Sequence, residues 1–476
     1  MKNQKIDGVP VQTELFKRRR SEIPSAERLQ TLQEKLYQKA QQEPGYKFYI
    51  LYDKMYIPYM LKEAWKKVKS KHSAAGVDNQ KVEDVENYGE EKYLQELGEE
   101  LRMQTYQPQP IKRIYQPKAN GKLRPIGIGC IKDRIVQTVC KMIIEPIFEA
   151  DFEDCSHGFR PERSSRGAIG EIKAHLKTGY TEVYDADLSA YFDTIPHNKL
   201  YKVLKLRISD PRMMRLIDKF LKVPVQEEGK IKSGKKNKMG VPQGGILSPL
   251  LANIYMNLID RIVNKPDRIF YRTGVKIVRY ADDFVLMSRE LKTETLIKLK
   301  ELLNRMELKI NEDKTRQINA EEESFNFLGF TFRYDRDLYD GKKRYWNVTP
   351  SKKATNKLKE KIREKLHSSL HYSPEKLVKA LNKMLRGWLN YFEIKGVSYP
   401  ACAKREIRYY LSTSLYRYYN RKSQRKSRLY GQQAMEILVK KYGLIDPTKY
   451  LTNDILLEDI DELYREAVCG KTARTV

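Results

Sequence analysis

Two short apolar runs in the middle of the chain enclose a pair of acidic residues. Residues 275–278 and 284–287 are largely apolar, and the sequence Tyr280-Ala281-Asp282-Asp283 lies between them. This pattern predicts a strand, a tight turn and a returning strand. One interpretation of the acidic pair is a solvated turn, because Asp is a common turn residue. Adjacent carboxylates also repel each other, and a bound cation would relieve that repulsion.

The other predicted strands lie on both sides of this hairpin in the sequence. Residues 111–116 and 123–128 are strand-like runs joined by a turn that contains Asn120-Gly121, a step typical of hairpins. Residues 181–188 are predicted to form a strand that ends in carboxylates, and a strand pair is predicted around residues 325–332.

Apolar residues recur at helical spacing through most of the remaining chain. The predicted helices cover residues 25–43, 46–68, 82–103, 131–150, 167–177, 250–259, 296–306, 358–370 and 377–392. Residues 227–238, which are rich in Lys and Gly, are predicted to form a loop. Because the strands precede residue 350 and long helices follow it, the pattern predicts an α+β fold with a helical C-terminal domain.

Composition and charge narrow the class of protein. The chain has 476 residues, of which 40% are hydrophobic, which is enough for two or three domains with cores. Its formal net charge of +29 makes a phosphate polymer the expected partner. No apolar run approaches the roughly 20 residues that span a bilayer, and no signal peptide is evident. The five Cys residues form no C-x-x-C pair, which indicates a reducing compartment without a disulfide framework.

Two stretches concentrate the positive charge. Residues 17–20 are Lys-Arg-Arg-Arg, and residues 404–430 interleave Arg and Lys with Tyr. Cations among aromatic rings suit a nucleic-acid surface, where Arg pairs with phosphates and Tyr stacks on bases. An amphipathic helix with Tyr inward and Arg outward is the alternative, and both interpretations can hold together.

Carboxylates at a predicted strand end and at the hairpin turn are candidate metal ligands. Asp187 ends one strand, and Asp282 and Asp283 lie at the hairpin turn. Three carboxylates from separate elements are what a pair of divalent ions needs for in-line phosphoryl displacement. Mg²⁺ in such sites uses few protein carboxylates together with substrate phosphates.

Three sequence strings, in their order and spacing, resemble a known family. Residues 187–193 read DLSAYFD, residues 241–253 read VPQGGILSPLLAN and residues 280–283 read YADD, in the order and spacing of group II intron reverse transcriptases. Further similar blocks lie at residues 75–78, 117–128, 157–161, 311–315 and 327–330. Residues 385–392, LRGWLNYF, resemble the maturase thumb of that family. The resemblance covers roughly residues 46 to 430.

The resemblance implies a domain organisation of the right-hand polymerase type. Fingers and palm, an antiparallel sheet with helices, would occupy residues 46–340, and an α-helical thumb or maturase domain would occupy residues 341–430. A basic helical N-terminal extension would precede them at residues 1–45. Residues 431–476 would form a small basic C-terminal segment with a possible role in binding DNA.

The resemblance also implies roles for individual residues. Asp187, Asp282 and Asp283 would be catalytic and would hold two Mg²⁺ ions, with Asp187 and Asp282 as the expected bridges and Leu188 as a neighbouring metal and nucleotide contact. The residues implied in binding the incoming dNTP are Lys118 and Arg124 at its triphosphate, Phe192 under its sugar, Gln243 against the nucleotide or template, and Lys314 below the site. Phe192 could instead be a core residue, and Lys314 a surface cation.

The implied reaction is attack of a primer 3′-hydroxyl on the α-phosphate of a dNTP, copying RNA into DNA and releasing pyrophosphate. The implied second activity is binding of the chain's own group II intron RNA to promote splicing, and mobility by target-primed reverse transcription. The expected partners are this RNA, an RNA template, and a DNA primer or target DNA, with no membrane, a possible homodimer, and a location in the bacterial cytosol or at the nucleoid.

Two alternative functions are also compatible with the sequence. A domesticated reverse transcriptase of a defence system, such as a retron or a CRISPR-associated enzyme, is one alternative, and a splicing factor that only binds RNA is the other. The tail after Tyr430 has no paired Cys, and no His follows residue 371, so an HNH endonuclease domain is not expected. A nick or a replication fork would then supply the primer.

Overall fold

The computed structural model describes residues 24–71, 74–117, 121, 123–234, 236–266, 269–337, 340–421 and 429–451. The predicted basic run at residues 17–20, Lys118 in the first hairpin turn, and residues 452–476 lie outside the described residues.

The described elements confirm a mixture of helices and antiparallel strands. The helices are α1 (Ser25–Gln42), α2 (Pro58–Lys69), α3 (Val82–Tyr88), α4 (Glu90–Arg102), α5 (Ile131–Glu149), α6 (Ser165–Lys177), α7 (Tyr191–Thr194), α8 (His197–Leu204), α9 (Pro211–Leu221), α10 (Ser248–Asn264), α11 (Ile269–Arg272), α12 (Thr293–Arg305), α13 (Lys352–Ser368), α14 (Pro374–Phe392), α15 (Ala401–Arg421) and α16 (Ala434–Tyr442). The strands are β1 (Ile111–Pro117), β2 (Leu123–Ile128), β3 (Glu182–Ala186), β4 (Val225–Glu227), β5 (Lys230–Lys232), β6 (Lys276–Tyr280), β7 (Asp283–Ser288), β8 (Arg316–Asn319), β9 (Phe325–Phe327), β10 (Phe330–Arg336) and β11 (Arg344–Pro350).

The described chain divides into two compact units. The first lies within residues 1–152 and 190–256, and the second within residues 153–189 and 257–476. In the first unit the strand order is β2-β1-β4-β5, and β1 pairs with β2 as the antiparallel hairpin that the sequence predicts. Helix α5 is largely buried, as predicted, and packs against α1 and α2.

Three local predictions in the first unit are wrong. Residues 46–57 are not an α-helix: the Asp210 carboxylate accepts hydrogen bonds from the backbone N–H groups of Leu51 and Tyr52, both at 2.8 Å, and only a short 3₁₀ helix forms there, over Tyr52–Lys54. The predicted helix over residues 82–103 is broken at Gly89, whose φ of 103° lies outside the helical region. Residues 227–238 are not all loop, since β4 and β5 pair there as a short hairpin.

The second unit contains two antiparallel sheets. The first has the order β6-β7-β3-β8, so β3 lies between β7 and β8 and brings the end of one strand beside the hairpin turn of another. The second sheet has the order β11-β10-β9. The predicted strand pair near residue 330 therefore has a third member, β11, which was not predicted from the sequence. Trp346 and Val348 of β11 are buried, and the residue between them in the strand is more exposed.

The helices after residue 350 pack onto the second unit's core through one face. Leu385, Trp388, Leu389 and Phe392 of α14 are all buried, which confirms the predicted apolar face. On α15, Tyr418 and Tyr419 are buried whereas Tyr409 and Tyr416 are exposed. The inward-facing Tyr418 and Tyr419 agree with the amphipathic interpretation, and the nucleic-acid surface stays a prediction. None of the helices in the described ranges is long and apolar enough to cross a membrane.

Candidate active site

The predicted acidic turn closes the hairpin of β6 and β7. Tyr280 pairs with Asp283 across the strands, which leaves Ala281 and Asp282 as the two turn residues. The strands behind the turn are buried, whereas Asp283 is exposed at the end of the hairpin. The strand, tight turn and returning strand are thus confirmed, and the two carboxylates lie where an ion or solvent can reach them.

Asp187 directly follows β3, and residues 311–315 hold it in place. One carboxylate oxygen of Asp187, Oδ2, accepts hydrogen bonds from Asn311 Nδ2 at 3.0 Å and from Lys314 Nζ at 2.9 Å. The Asn311 backbone N–H donates to the Asp187 carbonyl oxygen at 2.8 Å, and the Asp187 N–H donates to the Thr315 hydroxyl at 3.3 Å. The carboxylate is therefore oriented by a neutral donor and a cation.

These contacts give Lys314 a partner and add Asn311 to the site. Lys314 is 60% exposed, but its ammonium group pairs with Asp187, so it is more than an isolated surface cation. Asn311 was not predicted individually, although it begins the block that contains Lys314. No local signal could have identified its contact with Asp187, because the two residues are 124 positions apart in the sequence.

Negative charge accumulates at this end of the sheet. Loss of hydration among surrounding protein atoms, together with the charges of Asp282, Asp187 and Asp185, raises the pKa of Asp283 to about 7, and Lys314 opposes the shift. The residue as a whole keeps an exposed surface, so the crowding does not close the carboxylate off from solvent. Burial and the charge of Asp187 also raise the pKa of Asp185 to about 6.

The predicted ligands of the divalent cations do not form a ready-made cluster in the part of the chain that the structure describes. Within the described part of the chain, no three His, Cys, Asp or Glu side chains form a group arranged to hold a metal ion. Asp187, Asp282 and Asp283 are the carboxylates available, and a hard cation would relieve the mutual repulsion that raises the pKa of Asp283. The Leu188 side chain is buried and only 6% exposed, so the predicted contact of Leu188 would have to use its carbonyl oxygen.

Three of the predicted nucleotide-binding residues, Arg124, Phe192 and Gln243, lie in the first unit, whereas Leu188 and Lys314 belong to the second. Arg124 Nε donates to Gln243 Oε1 at 3.3 Å, and Gln243 Nε2 donates to Asp193 Oδ2 at 3.1 Å. The Val241 N–H donates to the carbonyl oxygen of Phe192 at 2.7 Å. The Phe192 side chain is half-buried, which leaves part of its ring available for contact.

Gly244 explains how this loop can approach strand β2 so closely. Its φ is 97°, and a Cβ atom built on it would lie 2.4 Å from the carbonyl oxygen of Gly127. Any other residue would therefore push the loop away from β2, on which Arg124 lies. The close approach of Gly244 to Gly127 thus keeps the loop with Gln243 near Arg124.

Two family profiles match consecutive parts of the chain. Residues 116–332 match the family described as "Reverse transcriptase (RNA-dependent DNA polymerase)". Residues 355–435 match "Group II intron, maturase-specific domain". The first match contains every predicted site residue, and the second covers most of α13 to α15.

Curated relatives agree with these matches. Protein YkfC of Escherichia coli is 38% identical over 297 residues, covering 55% of this chain and 77% of YkfC. The group II intron-encoded protein LtrA of Lactococcus lactis is 32% identical over 314 residues, covering 53% of this chain and 51% of LtrA. The aligned part of the chain thus spans about half the length of LtrA.

A solved "Partial Cas6-RT-Cas1--Cas2 complex" also matches, with a TM-score of 0.33 and 24% identity over 53% of this chain and 42% of the matched chain. Similarity at that TM-score supports no argument about fold or function.

The maturase-specific match favours an intron protein over a defence-system enzyme. The two family matches in sequence order and the extensive similarity to YkfC establish that the chain belongs to the family of group II intron reverse transcriptases and maturases.

Proposed function

We propose that this chain extends a primer 3′-hydroxyl with dNTPs on an RNA template, and that Asp187, Asp282 and Asp283 form its catalytic centre. The observation that carries this proposal is the electrostatic cluster at the end of the first sheet of the second unit. There, Asp187 is held by Lys314 and Asn311, and burial together with the charges of the neighbouring carboxylates raises the pKa of Asp283.

The chain's own residues prepare this site by orienting charge. Asn311 and Lys314 bind one oxygen of Asp187 and leave the other oxygen for a ligand. The hairpin presents Asp282 on its two-residue turn and Asp283 at the first position of β7, which limits their freedom. Two bound divalent ions would activate the primer hydroxyl and stabilise the leaving pyrophosphate. Orientation and electrostatic stabilisation would therefore supply most of the rate acceleration.

The residues of the first unit would bind the nucleotide. Arg124 carries a cation suited to a triphosphate, and its bond to Gln243 fixes the direction of its side chain. Phe192 would lie under the sugar, where its ring would clash with a 2′-hydroxyl. Lys118 remains a predicted second cation for the triphosphate.

The chain would also bind its intron RNA and promote splicing, as its maturase-specific segment suggests. Helix α15 exposes Tyr409 by 77% and Tyr416 by 51%, and Arg405 and Arg417 lie on the same helix. Exposed rings and cations can stack on bases and pair with phosphates. Because the net charge is +29, RNA binding is expected to weaken steeply as salt concentration rises.

A primer-extension assay tests the proposed activity directly. The full chain is incubated with an RNA template, an annealed DNA primer, the four dNTPs and Mg²⁺. The expected result is a DNA product that requires all four dNTPs, disappears with EDTA and returns when excess Mg²⁺ is added. If folded protein that binds the template yields no product, the proposed polymerase activity is wrong.

We expect Phe192→Ala to weaken discrimination against ribonucleotides. Removing the ring opens space for the 2′-hydroxyl, so the ratio of kcat/KM for dATP to that for ATP should fall by about tenfold or more. Single-nucleotide incorporation measures this ratio. Phe192→Tyr, which keeps a six-membered ring at the same position, is the matched control and should retain the discrimination. An unchanged ratio in Phe192→Ala would contradict the role of Phe192 as a steric gate.

A further inference from the structure

The turn that carries the acidic pair has an unfavourable backbone conformation. Ala281 has a φ of 59°, in the left-handed region that L-residues other than Gly, Asn and Asp rarely adopt. Such a conformation costs on the order of 1 kcal/mol and persists where surrounding contacts impose it. The direction of the next residue, Asp282, therefore depends on the groups that hold Ala281.

A buried arginine supplies one of those contacts. Arg279 is fully buried, and its Nη1 donates a hydrogen bond to the carbonyl oxygen of Ala281 at 2.8 Å. Its Nε donates to Asp260 Oδ1 at 2.9 Å, and its Nη2 donates to Asp260 Oδ2 at 2.5 Å and to the Ser156 hydroxyl at 2.6 Å. The guanidinium plane is thus anchored on one edge by Asp260, while another nitrogen reaches the turn.

The segment of residues 155–158 confines the turn from a second direction. The Arg279 N–H donates to the Cys155 carbonyl oxygen at 2.8 Å, and the His157 N–H donates to the Arg279 carbonyl oxygen at 2.9 Å. A Cβ atom added to Gly158 would lie 2.4 Å from the Ala281 nitrogen. Backbone hydrogen bonds and close packing therefore leave little room for Ala281 to move.

Stability alone is a weak explanation for the ion pair. The side chains of Arg279 and Asp260 both have 0% exposure, so both charges lose their hydration. Replacing such a pair with well-packed apolar residues is often neutral or stabilising, because the desolvation cost disappears. An apolar pair cannot, however, donate a directed hydrogen bond to the Ala281 carbonyl oxygen. That bond is the property that distinguishes the ion pair from an apolar replacement.

We propose that the Arg279–Asp260 ion pair positions the acidic turn for catalysis, by holding the Ala281 carbonyl oxygen and thereby directing the carboxylate of Asp282. Asp260 lies on helix α10, so the pair connects the turn to a long helix. Arg279 and Asp260 are positioning residues, since they act through the backbone of the turn. This inference rests on the proposed polymerase function, and it adds a buried ion pair that orients the carboxylates of the site.

The test replaces both charges at once, so that neither is left buried and unpaired. In the full chain, Arg279→Met/Asp260→Leu should fold with a melting temperature close to that of the wild type. Its kcat for primer extension, per folded protein, should fall about tenfold to a hundredfold, because small displacements of reacting groups have effects of that size. KM for dNTP and the affinity for RNA should change little, since the pair contacts neither.

A second buried ion pair provides the matched control. Arg207 pairs with Asp151 at 2.7 Å in the first unit, and its other hydrogen bonds reach the carbonyl oxygens of Ala40, Glu43 and Tyr46. Arg207→Met/Asp151→Leu makes the same chemical change away from the acidic turn. It should leave kcat per folded protein at the wild-type value.

The outcomes separate this inference from the proposed function. If the wild type does not extend primers, the proposed function is wrong and the inference falls with it. If the wild type is active and Arg279→Met/Asp260→Leu folds with wild-type kcat, only the positioning role is wrong. Should the double variant fail to fold, Arg279→Lys decides the matter, since one ammonium cannot reproduce the guanidinium fork. A reduced kcat with unchanged KM in the folded Lys variant supports the role, and an unchanged kcat overturns it.

Discussion

Replacing Asp282 with alanine is expected to abolish primer extension, lowering kcat by about a thousandfold or more, which is the scale of losing one essential electrostatic group. Asp282 lies on the two-residue turn, and its charge contributes to the raised pKa of Asp283. Without it, the site loses a carboxylate that would bind divalent ions. The rate of single-nucleotide addition on an RNA template measures the effect.

Stability provides an internal check on this prediction. Asp282 and Asp283 repel each other, so removing one of the two charges should leave the melting temperature unchanged or slightly higher. RNA binding should also remain near the wild-type value. Loss of activity without loss of stability is the signature of a catalytic carboxylate rather than a structural one.

The matched control is Glu301→Ala. Glu301 lies on helix α12 in the same unit and is half-exposed, with an ion pair to Lys298. Its removal changes the net charge by the same amount as Asp282→Ala, and extension should continue at the wild-type rate. Extension that persists in Asp282→Ala would exclude Asp282 from the catalytic site.

The second large effect concerns stability and the helices after residue 350. Trp388→Ala should lower the free energy of unfolding of the second unit by about 3–5 kcal/mol, the range for removing a large aromatic side chain from a core. Trp388 is only 1% exposed, and its ring centroid lies 4.7 Å from that of Phe392. Phe392 in turn lies 4.9 Å from Phe330 of β10. The tryptophan therefore supports the contact between α14 and the second sheet.

Denaturant unfolding followed by circular dichroism measures this loss. Trp388→Phe keeps an aromatic ring and should cost much less. Tyr409→Ala is the surface control, since Tyr409 is 77% exposed, and it should shift the free energy by no more than about 0.5 kcal/mol. If Trp388→Ala lowers the free energy of unfolding by less than about 1 kcal/mol, the packing of Trp388, Phe392 and Phe330 is not a main part of the core.

Much of the candidate site could be predicted because its signals are local. The hairpin around Asp282 was recognisable from two short apolar runs and a turn, and Asp187 from a strand that ends in carboxylates. Gly89 and Asp210 show where local reasoning failed. A glycine divided one predicted helix, and a carboxylate distant in the sequence binds the backbone N–H groups of residues 51 and 52 in the part of another that is not α-helical.

The sequence by itself determined most of the elements, the acidic turn, the positive charge and the family resemblance, since periodicity, turn chemistry and composition are properties of short stretches or sums over the chain. Only the tertiary structure decided that Asn311 and Lys314 orient Asp187, and that Arg279 joins Asp260 to the acidic turn. The physical reason is that hydrogen bonds and ion pairs between distant residues depend on how buried strands align. That alignment is set by packing throughout the unit and has no signature in any single segment.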